Sequence, residues 1–530
     1  MSKSKGPLVL CILDGWGEWD EQKGNAIARA KLPTIEKLDQ YYPKTRIQAS
    51  GLAVGLPWGS YGNSEVGHQA MGTGQIIYQK LPVIDNSIED GSFFENEVLQ
   101  EAVDYSEENE SNIHIVGLVS DGGVHSHIEH LYALLEAMKE KKAKKVFIHA
   151  ITDGRDTAPK KAKDFMKALK SKIESLNLGE IATVAGRFYT MDRGENWDRV
   201  EKGYLAMTAG EGEKVEEPLQ ALDNQYKKGN TDEFIEPTVV TDDEGTPVAK
   251  IKEKDVVICF NFRKDRARQI IEAFSLKDFD SFEKAKLIKD LKVVCFVEYE
   301  EGLPVDIVFK QQKIEARVGE EIEKSGLSQL RVAETEKFAH VTYFFDGGVS
   351  FDFEKELKIH VPSKDVNSYA DAPEMSAAEV TREITKAINK KHFDFILVNY
   401  ANPDMVGHTG DLNAGIKAVE FTDKCLGQLI QEILKKDGRL IITADHGNVE
   451  EMINLNNGEK DTEHSSNPVP CWFVTKNNHH KKYEDYQKGE YQELEVEGFL
   501  SDIAPTVLEA LDVKKPDSMT GESLLEIFKP

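Results

Sequence analysis

The sequence has few of the features typical of secreted, membrane-bound or nucleic-acid-binding proteins. It has five cysteines, none in a C-x-x-C pair, and no apolar run near the roughly 20 residues of a membrane helix. Its 66 lysines and arginines are outnumbered by 93 aspartates and glutamates, for a net charge of −27. This charge repels phosphate backbones and anionic lipids, so we expect no nucleic acid or membrane partner. Because the sequence shows neither a membrane span nor the apolar stretch of a signal peptide, we expect a cytoplasmic location. The cysteines have apolar neighbours and are predicted to be buried free thiols.

The pattern of apolar runs indicates the fold class. At 530 residues the chain exceeds one hydrophobic core, so we expect two domains. Runs rich in Val, Ile and Leu predict buried parallel strands at 7–13, 112–120, 145–152, 181–186, 255–262, 291–297, 393–400 and 439–444. Amphipathic helical patterns lie between several runs, as at 127–142 and 414–436. This alternation predicts an α/β fold.

Metal-binding side chains and one serine follow several of these runs. They lie in CILDGWG (11–17), YGNSEVGH (61–68), NPDMVGHTG (402–410), TADHGN (443–448) and TEHSSN (462–467). The candidate ligands are Asp14, Ser64, Asp404, His408, Asp445, His446 and His464. Carboxylate with imidazole is a ligand mix that divalent metals accept, and ligands bind beyond the carboxyl ends of parallel strands. Each string alone has an ordinary explanation, such as a turn, but together they predict a metal-activated serine.

Two of these strings predict local geometry. Asp404 and His408 are four residues apart and would share one face of a helical turn, although such a pair also arises by chance on a surface. Ser64 follows a Gly-Asn turn. Either Ser64 or Asn63 caps a helix there, or the serine is held outward as a nucleophile near helix N–H groups that favour phosphate. Coordination to a divalent ion would favour its alkoxide.

Arginines follow the apolar runs in the middle of the chain. They lie in TDGRDTAP (152–159), AGRFYTMDRGENWDR (185–199) and NFRKDRARQ (261–269) and are Arg155, Arg187, Arg193, Arg263 and Arg266. We expect them to line one crevice for a small, multiply charged anion, with His125 and Asp156 beside it in acid–base or phosphate-binding roles. The alternative is that each arginine pairs with a nearby acid, as Arg155 with Asp156 or Arg263 with Asp265.

The positions of the metal strings predict a discontinuous domain. Asp14 and Ser64 can join Asp404 to His464 only if the chain between them leaves and returns. We therefore predict a metal-binding domain from 1–79 and 312–530 and an inserted substrate-binding domain at 80–311, with junctions near LPVIDNS (81–87) and EEGLPVD (300–306). Tandem self-contained domains would leave the two halves of the metal set unexplained. The segment 477–490 is predicted to be a surface loop.

Nine motifs, in order, carry a resemblance to a known family. LDGWG, GNSEVGH, SDGGVHSH, DGRD, AGRFYTMDR, NFRxDRxR, NPDMVGHTG, ADHGN and TEHSSNPVP resemble those of the cofactor-independent phosphoglycerate mutases, a branch of the alkaline phosphatase superfamily. The resemblance covers nearly the whole chain. It implies an α/β fold in which an alkaline-phosphatase-like doubly wound sheet domain carries an inserted second α/β domain. It also implies interconversion of 3-phosphoglycerate and 2-phosphoglycerate in glycolysis and gluconeogenesis, through a phosphoserine on Ser64. The chain departs from the family pattern at Gln69 and Gln75, neither of which is a motif ligand.

The resemblance also implies cofactors and residue roles. It implies two divalent ions, manganese first with zinc, cobalt and magnesium as alternatives, and no 2,3-bisphosphoglycerate. One ion would be held by Asp14, Ser64, Asp445 and His446, and the other by Asp404, His408 and His464. Lys337 would reach the substrate phosphate and Asp156 would move protons. The substrate would be bound by His125, Arg155, Asp156, Arg187, Arg193, Arg263 and Arg266. We expect a monomer that acts on a small-molecule substrate.

Two other functions are weighed against the mutase. A phosphatase or phosphopentomutase of the same superfamily is disfavoured by the arginine set and the DGRD string. A non-catalytic phosphometabolite-binding protein is disfavoured by the serine within the metal set, which binding alone would not need. Because three histidine ligands must be neutral to bind metal, activity should fall below about pH 6.5.

Overall fold

The computed structural model describes residues 6–284, 288–310, 312–390, 392–479 and 495–529. Their strands are β1 Leu8–Leu13, β2 Lys44–Gln48, β3 Ile113–Leu118, β4 Val146–Thr152, β5 Glu180–Gly186, β6 Glu213–Val215, β7 Thr238–Val240, β8 Val256–Cys259, β9 Lys292–Cys295, β10 Asp306–Ile307, β11 Gln329–Glu334, β12 Glu356–Val361, β13 Phe395–Tyr400, β14 Arg439–Thr443, β15 Val469–Val474 and β16 Val496–Phe499. The predicted loop at 477–490 lies outside the described residues from 480 onward.

The helices complete the element order. They are α1 Ala26–Arg29, α2 Pro33–Tyr41, α3 Ser64–Thr73, α4 Lys80–Glu89, α5 Glu97–Glu108, α6 Ile128–Glu140, α7 Ala162–Leu176, α8 Arg187–Thr190, α9 Trp197–Thr208, α10 Pro218–Lys227, α11 Lys264–Ser275, α12 Val318–Lys324, α13 Thr335–Ala339, α14 Ala377–Lys390, α15 Asn402–Gly407, α16 Leu412–Lys435 and α17 Ile503–Ala510. A π-helical turn, His340–Phe344, continues α13.

The chain divides into two compact units, and the first is discontinuous. It comprises Met1–Gln79 and Lys313–Pro530. Its strand order is β12-β11-β13-β1-β14-β15-β2-β16. Strand β1 lies between β13 and β14, parallel to both, and every residue of its sequence LVLCIL is buried. A central parallel strand is covered on both faces, which explains this continuous apolar run. Strand β15 runs antiparallel to β14 and to β2.

The second unit, Lys80–Gln312, has its own sheet and core. Its strand order is β10-β9-β8-β3-β4-β5-β7-β6. From β10 to β5 each neighbouring pair is parallel, whereas β7 runs antiparallel to β5. The carboxyl ends of β8, β3, β4 and β5 therefore lie side by side at one edge of the sheet, where α/β folds bind ligands.

The prediction of an α/β fold is confirmed. The eight apolar runs form β1, β3, β4, β5, β8, β9, β13 and β14, and the two helical patterns form α6 and α16. All five cysteines are buried free thiols, as predicted. Within the described ranges, no helix combines the length and apolar character needed to cross a bilayer.

Candidate active site

The structure brings the seven predicted ligands of the first unit together. Asp14 directly follows β1, Asp445 and His446 follow β14, and α15, which begins just after β13, carries Asp404 with His408 at its end. Because these three strands are parallel neighbours, their carboxyl ends meet. His464 joins them from the loop before β15, where its Nε2 lies 3.2 Å from Asp404 Oδ1.

Ser64 is held as the first residue of α3, not as its cap. The cap is Asn63, whose side chain accepts a hydrogen bond from the Val66 backbone N–H. The buried Ser64 hydroxyl is therefore available to the site. Its Oγ lies 2.9 Å from His446 Nε2 and 3.3 Å from Asp14 Oδ1, and it accepts a 2.7 Å hydrogen bond from Lys337 Nζ.

Lys337 is the cation of this site. It lies in α13, directly after β11, and is buried. Its Nζ lies 2.6 Å from Asp14 Oδ1 and 2.5 Å from Asp404 Oδ2. Burial alone would lower the pKa of Lys337, but the two carboxylates raise it, so the ammonium is charged. Among the described residues, no other lysine or arginine forms an ion pair with Asp14 or Asp404.

The three buried carboxylates carry more negative charge than Lys337 can neutralise. Burial and the neighbouring Asp445 raise the pKa of Asp14 to about 7. Burial would also raise the pKa of Asp404, but Lys337 and the nearby imidazoles hold it well below its usual range. The pKa of Asp445 is likewise depressed by His446 and His68 against the effect of burial. This unbalanced charge is what divalent cations would compensate.

The tautomers of His408 and His464 fit a metal ion. Nδ1 of His408 lies 2.8 Å from the Thr462 carbonyl oxygen, and Nδ1 of His464 lies 2.8 Å from that of Gly62. A carbonyl only accepts, so each Nδ1 carries the hydrogen, and in the neutral ring Nε2 presents a lone pair. The two Nε2 atoms lie 3.1 Å apart, and that of His408 lies 3.3 Å from Asp404 Oδ1. Such converging lone pairs suit a shared cation.

Two groups of side chains have ligand atoms close enough for one ion each. The first is Asp404, His446 and His464, and the second is Asp14, Asp445 and His446. His446 therefore stands between the two predicted ligand sets, with its Nε2 3.6 Å from both Asp14 Oδ1 and Asp445 Oδ2. Burial lowers the pKa of His446 to about 4, so the imidazole is neutral, as a metal ligand must be.

Three buried residues that the sequence did not single out orient the ligands. Asn399 donates to Asp14 Oδ2 at 2.6 Å, and Asn448 donates to Asp404 Oδ1 at 3.0 Å. His68 Nδ1 lies 3.2 Å from Asp445 Oδ2. A signal existed for each, because His68 and Asn448 belong to the metal strings and Asn399 is a polar residue inside an apolar strand.

Arginines converge at the strand ends of the second unit. Arg187 begins α8 after β5 and is buried, with Nη1 2.7 Å from Asp153 Oδ1 and 2.5 Å from Asp156 Oδ2. Arg266 donates to the Met191 carbonyl oxygen at 3.1 Å. Burial and repulsion from three other arginines lower the pKa of Arg266; these are Arg187, Arg193 and Arg155. Three of the other predicted arginines therefore lie within electrostatic reach of Arg266.

The acids near this cluster pair with the arginines only in part. Arg193 and Arg263 share one carboxylate, Asp265, at 3.1 and 3.0 Å, so that the ion pair named in the alternative explanation does form for Arg263. Arg155 contacts Glu233 at 3.6 Å rather than Asp156. Four of the five arginines thus have a carboxylate partner. The side chains of Arg155, Arg193 and Arg263 are nevertheless about half exposed, so their guanidinium groups can also contact an anionic ligand.

His125 is buried beside the arginines and is neutral. Its Nε2 lies 3.9 Å from Asp156 Oδ2, and its Nδ1 lies 3.7 Å from Asp265 Oδ1. Burial and the charge of Arg187 lower the pKa of His125 to about 4. A neutral imidazole here can donate or accept a hydrogen bond without adding to the positive charge.

Comparison with known proteins gives consistent matches over both units. Residues 84–301 match the family described as BPG-independent PGAM N-terminus, and residues 308–504 match the one described as type I phosphodiesterase / nucleotide pyrophosphatase. The chain is 48% identical, over 524 residues, to the 2,3-bisphosphoglycerate-independent phosphoglycerate mutase of Clostridium acetobutylicum, covering 99% of this chain and 100% of that one. Identity to the protein of the same name from Clostridioides difficile is also 48%, over 98% and 99% of the two chains.

Among solved structures, the chain resembles a phosphoglycerate mutase of Leishmania mexicana determined at low cobalt concentration. The TM-score is 0.55 and the sequence identity 28%, with 98% of this chain and 97% of that one covered. The shared fold extends over both units.

Proposed function

The chain belongs to the 2,3-bisphosphoglycerate-independent phosphoglycerate mutases, and on that basis we propose which of its residues perform the reaction. The enzyme interconverts 3-phosphoglycerate and 2-phosphoglycerate, a step of glycolysis. It depends on divalent metal and needs no 2,3-bisphosphoglycerate. We further propose that it acts as a monomer in the cytoplasm; sedimentation at the mass of one chain would test the first part.

Ser64 is the proposed phosphoryl acceptor. The observation that carries this proposal is the environment of its hydroxyl, which Lys337, His446 and Asp14 all contact within 3.3 Å. A serine hydroxyl is a weak nucleophile at neutral pH unless a neighbouring group stabilises its alkoxide. Burial of all these groups strengthens that stabilisation, because water screens them poorly.

The proposed metal sites follow the two ligand sets, with Mn2+ as the proposed ion. Asp14, Ser64, Asp445 and His446 would hold one ion, and Asp404, His408 and His464 the other. When bound, the ions supply positive charge that favours the serine alkoxide and offsets the charge of the phosphoryl oxygens. Lys337 adds a third cation, because its raised pKa keeps the ammonium group charged at neutral pH.

The arginine cluster is the proposed substrate site, in an inserted substrate-binding phosphotransferase domain of residues 80–311. Residues 1–79 and 312–530 form the proposed metal-binding, phosphatase-like domain. The five arginines bind the carboxylate and phosphate of the substrate, and neutral His125 adds a hydrogen bond. Asp156, with its carboxylate at the edge of the cluster, is the proposed proton carrier.

Two displacements complete the proposed reaction. In the first, Ser64 reacts as its alkoxide, having released its proton to solvent: the Oγ–phosphorus bond forms as the bond from phosphorus to the glycerate oxygen breaks, and Asp156, which enters as the acid, gives that oxygen its proton. The glycerate then turns within the arginine cluster. In the second, its other hydroxyl attacks phosphoserine as Asp156 accepts the proton and Ser64 leaves. Two in-line transfers predict net retention of configuration at phosphorus.

The test compares the wild-type enzyme with Ser64→Ala in the presence of Mn2+ and 3-phosphoglycerate. We expect the wild type to form 2-phosphoglycerate without added bisphosphoglycerate, and Ser64→Ala to form none. Ser60→Ala, four residues earlier on the same loop, is the matched control and should retain turnover. Wild-type turnover by Ser64→Ala would reject the nucleophile, and release of inorganic phosphate without 2-phosphoglycerate would contradict the mutase activity.

A further inference from the structure

One buried carboxylate, which is not itself a candidate metal ligand, connects the loops that carry the candidate ligands. Glu450 is fully buried, and its Oε2 accepts hydrogen bonds from the backbone N–H groups of Gly17 at 3.0 Å and Asn448 at 2.9 Å. Its Oε1 accepts from the Ser465 hydroxyl and, at 3.1 Å, from Asn467 Nδ2. Each oxygen thus receives two donors, which is the capacity of a carboxylate.

The donors lie next to the candidate metal ligands. Gly17 follows Asp14 by three residues, Asn448 follows His446 by two, and Ser465 is the residue after His464. The link to Asp404 is indirect, since Asn448, whose backbone Glu450 holds, donates through its side chain to Asp404 Oδ1 at 3.0 Å. Every strand-end loop that supplies a protein ligand to either ion is therefore connected to this one side chain, except the turn that carries Ser64.

Glycines surround this carboxylate where a larger residue would clash. A Cβ on Gly17 or on Gly447 would overlap Glu450 Oε1, and a Cβ on Gly407 would overlap the Asn448 side chain. Gly17 and Gly447 therefore pack directly against Glu450, and Gly407, the last residue of α15, packs against Asn448. This close packing, together with the four hydrogen bonds, fixes the position of Glu450 relative to these segments.

We propose that Glu450 is a positioning residue for both metal centres: it holds the loops of Asp14, His446 and His464 in the geometry that binds the ions. The proposal rests on the ligand assignments of the proposed function. A glutamine has the shape of glutamate but turns an NH2 group toward two of the four donors, so that Glu450→Gln breaks the arrangement while removing no ligand.

The experiment measures Mn2+ binding directly, by the electron paramagnetic resonance signal of the free ion. Wild type should bind two equivalents, and Glu450→Gln should bind both about 10- to 100-fold more weakly, the range for groups that orient metal ligands. The matched control is Glu451→Gln, the next residue, which should bind as wild type does. A role in stability alone would lower the unfolding temperature of the metal-free protein without changing Mn2+ affinity, and that result would overturn the proposal.

A second variant keeps the proposal testable if Glu450→Gln does not fold. Ser465→Ala removes one donor beside His464 and leaves the carboxylate in place, so we expect weakened binding of one Mn2+ equivalent only. Unchanged affinity for both equivalents in this variant would count against Glu450. If the wild type itself binds no Mn2+, the proposed ligand assignments fail instead.

Discussion

Arg331 and Asp346 form a buried bidentate ion pair that closes the segment bearing Lys337. Nη1 of Arg331 lies 2.8 Å from Asp346 Oδ2, and Nη2 donates to Oδ1 at 2.9 Å. Arg331 also donates to the Val341 carbonyl oxygen in the π-helical turn at 3.2 Å. Arg331 lies in β11, before Lys337, and Asp346 follows the turn. The pair therefore fixes the two ends of the segment 331–346, which holds Lys337 in contact with Ser64.

Breaking this pair should destabilise the first unit. Asp346→Asn leaves the Arg331 guanidinium buried with Glu356, at 2.6 Å, as its remaining carboxylate partner. We expect a loss of about 3 kcal/mol in the free energy of unfolding, the lower end for a broken buried pair because Glu356 stays. Urea denaturation followed by circular dichroism measures it. Glu432→Gln, in a surface pair with Lys435, should change stability by less than about 0.5 kcal/mol.

Lys337→Met should reduce turnover more than substrate binding. The ammonium donates to Ser64 Oγ, where it stabilises the alkoxide before attack and the negative charge that develops again when Ser64 leaves in the second displacement. We expect kcat to fall by about 100- to 1000-fold, the cost of removing one preorganised donor. The change in KM should be small, since the arginine cluster is intact. Steady-state kinetics at saturating Mn2+ provide the test, with Lys386→Met on α14 as a surface control; a loss confined to KM would contradict this role.

Metal affinity should weaken as pH falls. Hydrogen bonding to Asp404 raises the pKa of His408, and the same carboxylate raises that of His464 against the effect of burial. Because these pKa values are raised, protons begin to compete with the metal for Nε2 at a pH above the usual histidine pKa of about 6.5. We expect the apparent affinity for Mn2+ to drop by about tenfold or more between about pH 8 and pH 6. Affinity that stays constant over this range would exclude these histidines as ligands.

Glu334 should make stability decrease toward alkaline pH. Its carboxyl group is buried beside Ser363 Oγ, at 2.9 Å, and burial raises its pKa to about 7. Because the folded-state pKa lies above the unfolded one, its contribution is fully present below the unfolded pKa of about 4.5 and is lost as pH rises through about 7.

Glu334→Gln removes this titration. The unfolding free energy of the variant minus that of the wild type should therefore increase by about 2 to 3 kcal/mol as the pH rises from about 5 to about 8. Denaturant titrations at the two pH values measure the difference. Glu509→Gln, on the exposed face of α17, should show none, and an equal slope in Glu334→Gln and wild type would show that Glu334 ionises normally in the fold.

The buried central strands were predictable because continuous apolar runs mark them. Strand β11 was missed since its buried residues include Gln329 and Arg331, polar groups that are satisfied only by tertiary partners. Strand β15 contains Pro470, which argues against a strand in the sequence alone. The chain divides into its two compact units after Gln79 and after Gln312. The metal-binding role predicted for 1–79 with 312–530 and the substrate-binding role predicted for 80–311 stay predictions.

The site was predictable where its chemistry is local. Residues of unusual type after apolar runs indicated the ligands and arginines, whose roles remain proposals. Glu450 gave no such signal, because a pair of adjacent glutamates looks like a solvated surface until the fold buries one of them. The sequence also could not show how the candidate ligands divide between the two ions. Only the fold shows that His446 lies close to both groups of ligand atoms.

The position of β1 between β13 and β14 has a consequence for synthesis on the ribosome. β1 is translated first, yet its register partners begin at Phe395 and Arg439. At about 5–20 residues per second, this apolar strand waits on the order of half a minute for its neighbours, while the second unit emerges and can fold. A nascent chain that ends before β14 therefore holds β1 without one of its two partner strands and lacks Asp445 and His446, two of the candidate metal ligands.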